Sequence, residues 1–287
     1  MSIVTNKEIM DRAHDEKYGV GAFNTNNLEY TQAILQAAVE LNSPVIIEAA
    51  KDEIDYMNGY VFVNMVKTMA EHLPIPVSIH LDHGPSYEEV VRCIRYGFTS
   101  VMYDGSALPL EENIANTQRV VAAAHACGVS VEGEIGVIGQ NEDGPEGTKS
   151  APMPLADPDQ CEEFVKNTGV DCFAAGIGNA HGFYKGKPKL QFDLLKDIQA
   201  RTRIPLVLHG GTGIPVEDIR KAITLGVSKI NFSSVMRRGF IETLHETLNQ
   251  NPGDWDLMKL LKPGRQKMVE VAKEHMRMCM SDGKAWK

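Results

Sequence analysis

The sequence predicts an α/β fold, a closed (β/α)8 barrel with an extra C-terminal helix, and three observations carry that prediction. Eight short apolar, β-branched runs recur along 287 residues. Segments with helical periodicity separate them, and the residues able to do chemistry crowd at the C-terminal ends of the runs. A barrel of this type takes about 250 residues, so the length fits a single catalytic barrel spanning residues 1–287.

The elements follow in order. A capping box, Thr5 to Glu8, opens an N-terminal helix ahead of the first strand, Tyr18–Asn24. From Leu28 to Leu41, the residues Leu28, Ile34, Leu35, Ala38 and Leu41 fall on one side of a helix, and the strand Val45–Ala50 follows. A helix over Val61 to His72 leads to the strand Val77–His83. Ser86, with Glu89 three residues on, opens the helix Tyr87 to Tyr96 before the strand Ser100–Gly105. Leu110 to Cys127 is helical in period and precedes Ser130–Gly136. Asp157-Pro158 opens the helix before Cys172–Gly178. Then come Pro205–Gly211, a helix opened by Pro215-Val216-Glu217-Asp218, and Lys229–Ser234. The central runs are almost continuously apolar, as parallel strands covered on both faces require. Beyond Pro263-Gly264 a further amphipathic helix is expected from about Arg265 to Cys279. A doubly wound open sheet is the runner-up. One stretch, 138–154, has three glycines, three prolines and no period, the composition of a mobile active-site loop.

Composition narrows the function. Thirty-eight acidic against 29 basic residues leave a net charge of −9, which offers no positive field to nucleic acid or an anionic membrane. No run of about 18 apolar residues exists to span a bilayer, and the first residues lack the apolar core of a signal peptide. The five cysteines, 93, 127, 161, 172 and 279, form no CxxC pair and read as free thiols. A cytoplasmic enzyme is expected.

In a barrel, working residues lie where strands end. Here those ends read Asp82-His83-Gly84, Asp104-Gly105-Ser106, Glu132 and Glu134, Asn179-Ala180-His181-Gly182, His209-Gly210-Gly211-Thr212-Gly213, and Asn231-Phe232-Ser233-Ser234. Three imidazoles on one rim, His83, His181 and His209, leave a fourth coordination position open, the arrangement of catalytic zinc. The other six histidines read as packed or solvated. Gly176-Ile177-Gly178-Asn179-Ala180-His181 fails the dinucleotide pattern, and His209-Gly210-Gly211-Thr212-Gly213 lacks the Lys-Ser/Thr ending of a P-loop. Both clusters still expose backbone N–H groups at the barrel mouth, which suits an anion.

These motifs, with Gly21-Ala22-Phe23-Asn24, His80-Leu81-Asp82-His83-Gly84, Ser100 to Ser106, Val131-Glu132-Gly133-Glu134 and His181-Gly182-Phe183-Tyr184-Lys185-Gly186, resemble the class II, zinc-dependent ketose-bisphosphate aldolases over nearly the whole chain. The resemblance implies cleavage of fructose or tagatose 1,6-bisphosphate to dihydroxyacetone phosphate and glyceraldehyde 3-phosphate. It implies Zn2+ on His83, His181 and His209, with Asp82 as the acid/base at the C4 hydroxyl. Glu142, in the loop, would exchange the proton on the triose-phosphate carbon. Asn24, Gly182, Gly210, Gly211, Thr212, Asn231, Phe232, Ser233 and Ser234 would bind substrate. Gly182 and Gly210 also resemble a monovalent-cation (Na+ or K+) site, and Asp104 and Glu134 match positions that hold a second or alternative metal in some members. The family favours a homodimer or homotetramer.

The chain departs from the family pattern in places. Thr212 stands where serine is usual, and Phe232-Ser233-Ser234 replaces an aliphatic, small or polar, then threonine pattern. Glu48-Ala49-Ala50-Lys51-Asp52 follows strand 2 in place of a small hydroxyl residue. Four arginines, Arg237, Arg238, Arg265 and Arg277, compete to clamp the second phosphate. Three other functions stand beside this one. They are a metal-free Schiff-base lyase on Lys51, a noncatalytic sugar-phosphate-binding barrel, and an aldolase joining dihydroxyacetone phosphate to a deoxy-keto-sugar-acid phosphate or a sulfosugar phosphate.

Overall fold

Eight parallel strands close on themselves. The computed structural model describes residues 2–140, 154–184 and 186–286. Strand β1 (Val20–Asn24) pairs with β2 (Val45–Ala50), followed around the ring by β3 (Val77–Gly84), β4 (Ser100–Tyr103) and β5 (Ser130–Ile135). A two-residue strand β6 (Gly139–Gln140) lies outside the ring. Then β7 (Cys172–Ala175) pairs with β5, and β8 (Ala180–His181) pairs with β6. Strands β9 (Leu206–Leu208) and β10 (Val227–Phe232) complete the circle back to β1, in the order β1-β10-β9-β7-β5-β4-β3-β2. The sequence-predicted closed barrel is therefore the observed one, and the open sheet is excluded.

Eleven helices surround the ring among the described residues. They are α1 (Asn6–Glu16), α2 (Leu28–Leu41), α3 (Lys51–Met57), α4 (Gly59–Ala70), α5 (Tyr87–Tyr96), α6 (Leu110–Ala126), α7 (Pro158–Thr168), α8 (Phe192–Thr202), α9 (Val216–Thr224), α10 (Ser234–Gln250) and α11 (Leu257–Met278). The expected caps are in place. Thr5 and Glu8 form the capping box, Ser86 Oγ accepts from Glu89 N, and Asp157 accepts from Asp159 N and Gln160 N.

Several expectations needed correction. The first strand begins at Val20 because Tyr18 N–H closes α1 on Ala13 O and Gly19 N–H bonds Cys279 O. Four other runs, at β4, β7, β9 and β10, stop two or three residues early, and β5 stops one early, where the backbone lifts off to build the mouth. Short α3 follows β2 without a loop, so Lys51 begins a helix. Helix α11 starts at Leu257 and carries Pro263 inside it. Pro263-Gly264 is not its boundary, because Gly264 lets the helix pack on Phe240: a Cβ there would stand 2.7 Å from the Phe240 ring. The predicted loop opens on β6, and residues 141–153 lie outside the described residues.

Helix α1 closes the N-terminal end of the ring, packed against β1, β3, β5 and β10. Its Met10 is fully buried against Cys172, Ala174 and Val207, and its Ile9 and Ala13 pack with Val20, Ala22 and Ile46. Asn6 Oδ1 accepts from Ser78 Oγ inside the ring at 2.5 Å. With that end plugged, the barrel opens at its C-terminal end. No described helix is long and apolar enough to cross a membrane. Met10→Ala is expected to cost about 2–5 kcal/mol in a urea or guanidinium unfolding curve, because it opens a cavity in the plug. An unchanged midpoint would mean that α1 does not close the barrel.

Candidate active site

The C-terminal ends of the strands open into a cleft of about 960 Å³. Asn24, Asp82, His83, Asp104, Glu134, His181, Gly182, Gly210, Thr212, Asn231, Ser233 and Ser234 all line it, so residues spread from position 24 to 234 meet in one place.

The three histidines expected to converge do so. Candidate ligand nitrogens of His83, His181 and His209 lie within 4.8 Å of one another. Each comes from a different strand end, and local constraints hold them there. His83 takes a left-handed backbone, φ 47°, at a cost of about 1–3 kcal/mol for a side chain of its kind. Gly210, φ 67°, follows His209 and passes so close to Ala180 that a Cβ would stand 2.0 Å from its carbonyl oxygen. Tyr184 Oη accepts from Ala180 N at 2.9 Å and donates to Gly210 O at 3.1 Å. Asn179 Nδ2 donates to His209 O at 3.0 Å. Together these ties strap the His181 loop to the His209 loop.

Carboxylates fix the tautomers. His83 Nδ1 lies 2.7 Å from Asp104 Oδ2, and His209 Nε2 lies 2.8 Å from Glu132 Oε1. Ionised carboxylates only accept, so each of these nitrogens carries the hydrogen. The opposite nitrogens, His83 Nε2 and His209 Nδ1, then face each other at 3.1 Å. Two lone pairs that close demand a cation between them, either a proton or a metal. Carboxylate–histidine pairs of this kind are what orients imidazole on a metal. The donor set therefore fits a divalent metal.

Charge in the metal-free cluster follows the same logic. Burial opposes a charged His83, but Asp82 and the hydrogen bond to Asp104 outweigh it, pushing His83 up to about 10. Burial and the neighbouring His83 charge hold His209 well below the usual imidazole value. Burial would raise Asp82, yet the positive charges of His83 and Lys229 hold it below the usual carboxylate range. Asp82 is therefore ionised, 6% exposed, and gripped from both sides. Asn24 Nδ2 donates to one of its oxygens at 3.2 Å and Asn231 Nδ2 to the other at 3.1 Å.

Asp104 also accepts from Ser106 N and Ser106 Oγ, so its oxygens serve His83 and its own turn. Neither Asp104 nor Glu134 joins a group of three ligands; the second such group among the described residues is Glu48, His80 and Asp82. Burial pushes Glu134 well above the usual carboxylate value, and its Oε2, like Asn231 Oδ1, is buried with no protein partner. Both residues line the cleft.

Two residues expected at the phosphate do not line the cleft. Gly211 N–H is already bonded to Asn231 O, and a Cβ on Gly211 would stand 2.6 Å from Ile230, so this glycine serves packing. Phe232 is fully buried, its ring 5.6 Å from Phe23 and 4.5 Å from His275. Glu142 lies outside the described residues. Lys51 is absent from the cleft lining and pairs with Asp55 at the surface, which leaves a Schiff-base role without support. Of the four arginines, Arg237 alone lines the cleft. Arg238 pairs with Glu242 and stacks on Phe183, and Arg265 bonds Gln32.

Sequence reasoning passed over Asn26, Asp52 and Glu53, which also line the cleft. Glu53 accepts from Asn24 Nδ2, Asn26 Nδ2 and Ala50 N, at 3.2, 3.0 and 2.8 Å. Its signal was available, since it stands three residues beyond Ala50 at the position of a capping-box glutamate.

Comparison with known proteins agrees with this geometry. The family model described as fructose-bisphosphate aldolase class-II matches residues 4–284. A fructose-bisphosphate aldolase of Geobacillus stearothermophilus is 48% identical, over 99% of this chain and 99% of that protein. One from Staphylococcus aureus strain N315 is 45% identical, over 95% of this chain and 96% of its own length. The crystal structure of the YdjI aldolase from Escherichia coli K12 superposes with a TM-score of 0.87 at 33% identity, covering 99% of this chain and 100% of that one.

A metal has to displace the proton of His83, because imidazole ligates only when neutral. The apparent Kd for Zn2+ is therefore expected to fall about tenfold per pH unit between about pH 6 and 8. Competition with a chromophoric chelator measures it, and an affinity that ignores pH would contradict the protonated resting cluster.

Proposed function

The chain belongs to the class II fructose-bisphosphate aldolase family, and from that premise we propose that it reversibly cleaves fructose or tagatose 1,6-bisphosphate to dihydroxyacetone phosphate and glyceraldehyde 3-phosphate. It is an aldolase, a carbon–carbon lyase that acts on a phosphorylated sugar. The observation that carries the substrate reading is the grouping of His83, His181 and His209 around an ionised Asp82 at the floor of a cleft rimmed by Gly182, Gly210, Thr212, Ser233 and Ser234.

His83, His181 and His209 would hold a zinc ion, which would supply a Lewis acid for the ketone oxygen of the substrate. Asp82, held ionised and aimed by Asn24 and Asn231, takes the C4 hydroxyl proton as C4 becomes the aldehyde carbon. The electron pair of the broken bond passes into the ketone and leaves an enediolate. Glu142, by the family resemblance, returns a proton to C3 and completes dihydroxyacetone phosphate. Backbone N–H groups and hydroxyls of the Gly182, Gly210, Thr212 and Ser233-Ser234 loops receive its phosphate, and by the family resemblance Gly182 and Gly210 would also hold a monovalent cation. Arg237 is the residue we assign to the second phosphate, on the ground that it is the one candidate arginine in the cleft lining. Assembly as a homodimer or homotetramer in the cytoplasm accompanies this reading.

A second reading keeps the chemistry and changes the aldehyde. Asp52 and Glu53 bring two carboxyl groups to the wall beside Asn24 and Asn26, where the resemblance leads one to expect a small hydroxyl residue. Such a wall favours hydroxyl donors and works against a second phosphate.

Triose-phosphate release from both bisphosphates, assayed with and without a chelator, tests the two readings. Chelator-sensitive cleavage of either is expected. Silence on both, with metal bound, would leave the aldolase chemistry and transfer the choice of aldehyde to the second reading. Asp82→Ala is expected to keep its metal while losing about 10²–10⁴ in kcat, the usual worth of a general acid/base. Undiminished turnover in that variant would remove Asp82 from the reaction.

A further inference from the structure

Beneath the site, the barrel interior contains charge where aliphatic layers are usual. Lys229 on β10, Glu48 on β2, His80 on β3 and Glu132 on β5 are all fully buried. Lys229 Nζ stands 2.9 Å from Glu132 Oε2 and 3.4 Å from Glu48 Oε2. His80 Nε2 is 3.4 Å from that same Glu132 Oε2, while its Nδ1 is engaged with Ser100 Oγ at 2.8 Å. Glu132 thus divides its two oxygens. One faces Lys229, and the other meets His209 Nε2 at 2.8 Å.

A buried ion pair is seldom a net gain over well-packed apolar side chains, because desolvation consumes most of the attraction. Stability alone is therefore a poor account of Lys229. Direction is a better one: a carboxylate pinned at one oxygen presents the other at a fixed angle. Resting on the reading that the three histidines hold a divalent metal, we propose that Lys229 is a positioning residue of the metal site. It clamps Glu132 Oε2, so that Glu132 Oε1 holds the His209 ring in the orientation and tautomer that turn Nδ1 to the cluster. Lys229 touches neither metal nor substrate. It acts through one intervening side chain, from the side of the barrel closed to solvent.

The test titrates metal-free protein with Co2+, following both affinity and the visible absorption of the bound ion, and separately records the melting temperature of the metal-free protein. Lys229→Met is expected to weaken metal binding by about 10–100-fold, the usual effect of losing a group that orients a ligand, and to alter the Co2+ spectrum. That substitution leaves Glu132 buried without its partner, so the pair Lys229→Met with Glu132→Gln is made as well. It removes both charges together and is expected to show a similar loss, not the product of two separate losses. A lower melting temperature with unchanged metal affinity and spectrum, in whichever variant folds, would make Lys229 merely structural and overturn the proposal. Failure of the unaltered protein to bind Co2+ or Zn2+ would overturn the metal reading itself, and this proposal with it.

Discussion

The carboxylate of Glu132 is the constraint on which the site hangs. It lies inside a closed ring of strands, reached by no solvent, between a lysine on β10 and a histidine at the end of β9. Burial alone would raise its carboxyl, but the charge and hydrogen bond of Lys229 outweigh burial and keep it ionised. An ionised acceptor below His209 leaves that ring only one tautomer, with Nδ1 directed upward to His83. Asp104 does the same for His83 from just beyond the end of β4. The orientation of both rings is thus decided by two carboxylates, Glu132 and Asp104.

The mouth of the barrel rests on backbone ties of a different kind. Tyr184 and Asn179 strap the loop carrying His181 to the loop carrying His209, and Gly210 permits an approach that no Cβ would allow. Asp82 is held in turn by two carboxamides from β1 and β10, strands that are neighbours in the ring though far apart in sequence. Closing the barrel creates that adjacency. An open sheet would separate Asn24 from Asn231 and free the Asp82 carboxylate.

Most of the architecture could be read before any coordinates. Apolar runs at a regular beat, capping residues such as Ser86 and Asp157, and histidines at strand ends express local rules. The readings that slipped were of three physical kinds. Strand ends were drawn too long because apolar periodicity continues into loops that have already left the ladder. Pro263-Gly264 looked like a helix boundary because a breaker's effect is judged locally, whereas the Phe240 ring packs where a Cβ would stand. Gly211 and Phe232, which the resemblance implies at the substrate, stand beside residues that line the cleft, while their own groups turn to Asn231 O and to the Phe23 and His275 rings.

Sequence by itself determined the barrel, the family and the three converging imidazoles, since these follow from periodicity and from residue type at strand ends. Only the tertiary structure decided which nitrogens of His83 and His209 face the cluster, that Arg237 and not its neighbours reaches the cleft, and that Glu48, Glu132 and Lys229 meet in the interior. Those facts depend on which way a side chain points and on what lies across the ring. Lys229 and Glu132 are 97 positions apart in the chain yet 2.9 Å apart in space, a proximity that ring closure creates and that no local pattern encodes.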